Sequence, residues 1–167
     1  MKTNKELNVG SVHWNYHVWL SAKQFLDAGN IVFDNNISVH APILMNYAFA
    51  CELALKACAI QTRYNCKPFD NGIIPTASFK PTVRGHKLFS DVFDNLLPET
   101  QLPISTKFKK ITNLDLRSQL IEFNDYFVDV RYSFENSARS WDLSGMRKFA
   151  NALLDATLPG EHLSHEI

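Results

Sequence analysis

A chain of 167 residues can bury about 70% of its unfolded surface, so a single domain that folds without disulfide staples is expected. Seventeen basic residues balance seventeen acidic ones, which excludes a global field drawing the chain to nucleic acid or an anionic membrane and makes any such contact local. Cys51, Cys58 and Cys66 are odd in number and form no CxxC pair, so they read as reduced thiols.

The first residues, Met1 to Asn8, carry charges but no apolar run, which argues against a secretory signal and for a cytoplasmic protein. A first helix is expected from Ser11 to Asp27 or a little beyond. Val12, Tyr16, Trp19 and Leu26 form its inner stripe, and Asp27-Ala-Gly-Asn30 or Asp34-Asn-Asn36 supplies the stop. The second should begin between Ser38 and Pro42 and run to about Arg63, apolar almost all round and therefore central. Its stretch from Ala41 to Ile60 holds Asn46, Glu52 and Lys56 near the middle, where charge is expensive in lipid, so it reads as a bundle helix and no membrane association is expected. Pro68, Gly72, Pro75 and Pro81 forbid a continuous helix between Cys66 and Gly85, while Phe69, Ile73, Ile74 and Phe79 predict a long loop packed down on the core. A short third helix should span His86 to Leu97 and end at Pro98.

Lys107, Lys109 and Lys110 read as an exposed link into a fourth helix from about Asn113 to Ser137, striped by Leu116, Leu120, Phe123, Phe127, Val130 and Phe134. A fifth, Ser144 to Leu158, carries Met146, Phe149, Ala150, Leu153 and Leu154 and stops at Pro159-Gly160. Residues 1–10 and 159–167 should be flexible ends. The fold class is thus all-α: one domain, a bundle of four main helices with an additional short one, and a long proline-containing loop after helix two.

Ionisable groups among core residues are the chemistry worth following. Glu52 and Lys56 lie one turn apart on helix two, and Arg131 and Glu135 repeat that spacing on helix four. His86 stands at a helix start, where a ring nitrogen can donate or accept. Together Glu52, Lys56, His86, Arg131 and Glu135 would make a small anion site beneath the loop, with Arg131 offering a fork to phosphate; the same groups would equally serve as a buried charge network that binds nothing. Arg63, Lys67, Lys80, Arg84 and Lys87 face only Asp70 in their stretch and are interleaved with Tyr64, Phe69 and Phe79, which makes them candidate RNA contacts or a solvated loop. His13 and His17 share a helical face in this reading, but no third ligand lies nearby, and no metal site or cofactor is expected. No nucleophile elbow or glycine-rich phosphate loop occurs.

Three segments, Cys51-Glu-Leu-Ala-Leu-Lys-Ala57, Gly85-His-Lys-Leu88 and Arg131-Tyr-Ser-Phe-Glu135, resemble in order and spacing bacterial members of the HEPN superfamily (higher eukaryotes and prokaryotes nucleotide-binding) over roughly Ala22 to Phe149. The resemblance implies an antiparallel four-helix bundle that pairs as a homodimer, and a place in phage-defence, toxin–antitoxin or mobile-element systems. Many members are metal-independent ribonucleases; others are binding modules. The family's ribonuclease signature is an arginine followed four to six residues later by histidine, and Arg117, Arg131, Arg139 and Arg147 all lack one. The leading expectation is therefore a non-catalytic module binding nucleotide or RNA phosphate, or a protein partner. The alternatives are a ribonuclease with a non-standard site, using His86 as acid or base with Arg131 or Lys56 stabilising charge, and a structural adaptor without ligand.

Overall fold

The computed structural model describes residues 6–69, 72–132 and 140–159, with side chains described for 12–62, 78–132 and 140–159. Among these the chain is predominantly helical: α1 (Tyr16–Asn35), α2 (His40–Ala57), α3 (Pro98–Thr112), α4 (Leu116–Glu122), α5 (Tyr126–Arg131) and α6 (Leu143–Thr157). A three-stranded antiparallel sheet of β1 (Glu6–His13), β2 (Ile60–Phe69) and β3 (Gly72–Pro81) is set in order β1-β2-β3. No helix among the described residues is long and apolar enough to cross a membrane.

α2 is the central element, as its all-round apolar sequence demands. Ile43, Leu44, Tyr47, Ala48, Cys51, Ala54 and Leu55 are all fully buried, and the helix packs on α1, α5 and α6. Tyr47 lies against Gly29 of α1, where a Cβ would stand 2.8 Å from the Tyr47 ring, and its hydroxyl donates to Asn30 Oδ1 at 3.0 Å. Gly29 is thus a crossing point, not a stop signal, and α1 continues to the second of the two expected stops. Burial holds the thiols of α2 protonated: the Cys51 thiol is pushed far up, and that of Cys58, at the helix end, to about 12. Iodoacetamide at mildly alkaline pH should therefore leave Cys51 and Cys58 unlabelled in the native protein and label both in urea, read by peptide mapping; native labelling of either would contradict their burial.

The largest correction concerns residues 60–81, where the end of helix two, to about Arg63, and a packed loop from Cys66 to Gly85 were expected, and β2 and β3 form a hairpin. Ile60-Gln-Thr-Arg-Tyr-Asn-Cys-Lys67 alternates apolar or hydroxylic residues with polar ones, a strand period that ends α2 at Ala57, not near Arg63. The prolines fit because, among the described residues, β3 with Pro75 and Pro81 is an edge strand, and β1 pairs β2 from Ile60 to Asn65, short of Pro68. β1 also draws residues 6–13, expected as a flexible end and a helix start, into the sheet. α1 begins after Asn15, whose side chain caps Val18 N at 3.1 Å and whose own N–H donates to Ala57 O at 2.8 Å. Val12 and Tyr16 are accordingly exposed instead of lining an inner stripe.

Residues 86–97 form a π turn (Leu88–Val92) and a 3-10 turn (Phe93–Asn95) instead of one helix. α3 occupies a stretch read as a link: Pro98 sits in its first turn, Lys109 and Lys110 in its last, and Asn113 closes it in the left-handed region at φ 60°. Lys107 reaches Leu158 O at 2.7 Å. The expected fourth helix is broken at Phe123–Asp125 into α4 and α5, although Leu116, Leu120, Phe123, Phe127 and Val130 are buried as its stripe required. Phe134 and the helix's expected end near Ser137 fall outside the described residues, as do residues 160–167. α6 matches its expected range within one residue, capped by Asp142.

Candidate functional site

Glu52 is 98% removed from solvent, near the C-terminal end of α2, and a carboxylate there must be paired. It is paired twice. Oε1 accepts from Lys56 Nζ at 2.6 Å, the one-turn partner its spacing predicts, and Oε2 lies 3.0 Å from His86 Nδ1. Lys56, itself largely buried, donates a second bond to Gly85 O at 2.8 Å. Both carboxylate oxygens and the ammonium are thereby used to tie α2 to the Gly85–Lys87 turn.

That turn is built for the purpose. Gly85 takes φ +95°, a conformation side chains rarely adopt, and a Cβ there would collide with the Asp91 carboxylate. Asp91 Oδ2 accepts from the N–H groups of His86 and Lys87, each at 3.2 Å. The following N–H groups are claimed by Asn124 in the α4–α5 break: Leu88 N donates to its carbonyl at 3.2 Å, and Phe89 N and Ser90 N to its Oδ1 at 2.9 and 3.2 Å. The break in the fourth helix is therefore the anchor of the histidine turn. Gly85→Ala should cost about 1–3 kcal/mol, a drop of several degrees in melting temperature. An unchanged melting temperature would show that the turn accommodates a side chain.

The imidazole is stacked on Phe127 of α5, centroids 5.0 Å apart and planes at 24°, and Phe127 is stacked in turn on Phe49 at 5.6 Å and 29°. The Arg131 guanidinium also lies over Phe127, 4.7 Å from its centroid. Among the described residues no carboxylate pairs with Arg131. His86 keeps 49% of its side-chain surface exposed; with Nδ1 on Glu52, its Nε2 edge and outer face remain.

No family model, no curated protein and no solved structure matches the chain.

Of the residues singled out in the sequence, Glu52, Lys56 and His86 are in direct contact, and Arg131 joins them through the Phe127 ring. Glu135 lies outside the described residues. Of the candidate RNA contacts, Arg63 and Lys67 lie in β2 beyond the described side chains, and Lys80 in β3 pairs by backbone with Gln61. Arg84 lines a depression of ≈ 350 Å³ with Thr82, Val83, Ser90, Asp91 and Asn95. Lys87 is 3.4 Å from Asp125. A larger depression of ≈ 620 Å³, lined by residues such as Ile111, Arg147 and Asn151, contains none of the candidates. His13 and His17 share no helix face, since His13 ends β1 with Nε2 3.2 Å from Thr62 Oγ1. Sequence reading missed Asn124, Asp91 and Phe49; only the Asn124-Asp125 pair, a turn-prone interruption of an apolar stripe, gave a signal.

Proposed function

We propose that this chain is a HEPN-like helical binding module, with α1, α2, the α4–α5 pair and α6 as its four-helix bundle, that holds an RNA or nucleotide phosphate at His86 and Arg131. One observation carries the reading. Glu52 spends both oxygens inside the protein, while the Arg131 fork, without a described carboxylate partner, and the free edge of His86 meet solvent above the same Phe127 ring. A fork held flat on an aromatic face is preorganised for bidentate phosphate recognition. The homodimer and the defence-system context belong to this proposal through the resemblance, and the cytoplasmic setting through the charged, non-apolar first residues.

Arg131→Ala should weaken binding of a short RNA about tenfold or more while leaving cooperative unfolding intact, because the guanidinium is exposed and its loss removes charged hydrogen bonds to ligand alone. Fluorescence anisotropy with a parallel urea melt checks this. Unchanged affinity would remove Arg131 from the site, and failure of the wild-type protein to bind RNA or nucleotide would reduce the cluster to a folding device.

A second reading, a metal-independent ribonuclease, is favoured by the Glu52–His86 geometry. A carboxylate accepting from Nδ1–H orients the ring and leaves Nε2 as a base. Nε2 would take the 2′-hydroxyl proton as O2′ bonds to phosphorus, the P–O5′ bond breaks, and the 5′-oxygen gains a proton from solvent. RNA cleavage in EDTA that vanishes with His86→Ala would establish it; cleavage undiminished in that variant would remove it.

A further inference from the structure

We infer that the outer face of His86 is a stacking platform for an unpaired nucleobase, so that the module takes single-stranded RNA in preference to duplex. The inference rests on the phosphate-binding reading and deepens it. Phe49 and His86 are each stacked on Phe127, a column of three rings that runs from the half-buried Phe49 through the buried Phe127 to the exposed His86. Phe127 is only 4% exposed, so its faces are spent, whereas His86 keeps 49% of its side-chain surface open at the end of the column. Its ring cannot swing away: Nδ1 is held by buried Glu52, and the backbone turn is held by Asp91 and Asn124. A rigid, half-exposed ring on an aromatic column is a surface on which a planar base gains stacking without further ordering of the protein.

The surroundings select a nucleobase over another flat group. Arg131 lies over the same Phe127 ring, and Lys87 and Arg84 flank His86 in the chain with exposed side chains, so a base on His86 would have its phosphates near cations. Bases within a duplex are stacked on one another and hide their faces, which is why the platform discriminates strandedness. Every base has such a face, so little sequence preference is expected.

The test uses the full chain and four probes: a short single-stranded oligoribonucleotide carrying 2-aminopurine, the same strand annealed to its complement, an abasic strand of equal length, and adenosine monophosphate. The expected result is about 5- to 100-fold tighter binding of the single strand than of duplex or abasic strand, with quenching of 2-aminopurine. His86→Phe should keep that preference and His86→Ala abolish it. Binding of the mononucleotide as tight as that of the strand would locate the base preference in one nucleotide and still support the platform. Equal affinity for the base-bearing and abasic strands would overturn the stacking while the phosphate reading survives. If no probe binds, both fall.

Discussion

Replacing Glu52 by Ala is expected to destabilise the domain by about 3–5 kcal/mol, because it strands the largely buried Lys56 ammonium without its counter-charge. Lys56 would keep only the bond to Gly85 O, and His86 would lose the acceptor that orients Nδ1. The exposed half of the Glu52–His86 contact adds little, since water screens it; the cost resides in the Lys56 pair. With a urea dependence of about 2 kcal/mol per molar, the unfolding midpoint should fall by roughly 2 M. Glu52→Gln, which keeps the shape but not the charge, should fall between the two. A shift of the Ala variant no larger than ordinary surface substitutions produce would mean that Lys56 finds water or another acceptor, and the network would lose its structural role.

Phe127→Ala should cost a similar amount, about 3–5 kcal/mol, for a different reason: it empties a ring-sized volume among Phe49, His86 and the α2–α5 contact. It also removes the surface on which both His86 and Arg131 are laid. Phe127→Leu separates these effects. Apolar volume is nearly kept, so stability should fall by only about 1 kcal/mol, yet the stack and the cation–π contact are lost. In NMR spectra the His86 ring protons should then move downfield as the ring current of Phe127 disappears. Unmoved His86 resonances in the Leu variant would show that the imidazole does not rest on Phe127 in solution.

How much of this could be read beforehand differs from element to element. The body of α2 was legible as an apolar run and α6 as an amphipathic stripe of Met146, Phe149, Ala150, Leu153 and Leu154, because both burial patterns are local. The Glu52–Lys56 pair was legible because its spacing is one helical turn. α3 was hidden by Pro103 within it and by a helix face of which only Ile104 and Phe108 are buried, so its periodicity is faint. The hairpin was hidden by prolines that a sheet accepts only at an unpaired edge, and edges are defined by pairing, not by the strand's own residues. The break at Asn124 had only the turn-prone Asn124-Asp125 pair to mark it within the fourth helix; the demand for it comes from Leu88, Phe89 and Ser90, more than thirty residues earlier.

By itself, then, the sequence determined a mostly helical class, the central helix, its buried thiols, and a carboxylate in an apolar run that had to find a cation. These are consequences of burial and of the helical repeat, and both act over a few residues. Only the tertiary structure decided that the second partner is His86, 34 residues away, and that the imidazole completes an aromatic column instead of opening a helix. That outcome needs Gly85 at a positive φ, Asp91 and Asn124 holding one turn from two sides, and Phe127 beneath it. No one of these contacts places the ring alone. Chain connectivity brings them together only once the helices have packed, and local preference carries no record of that packing.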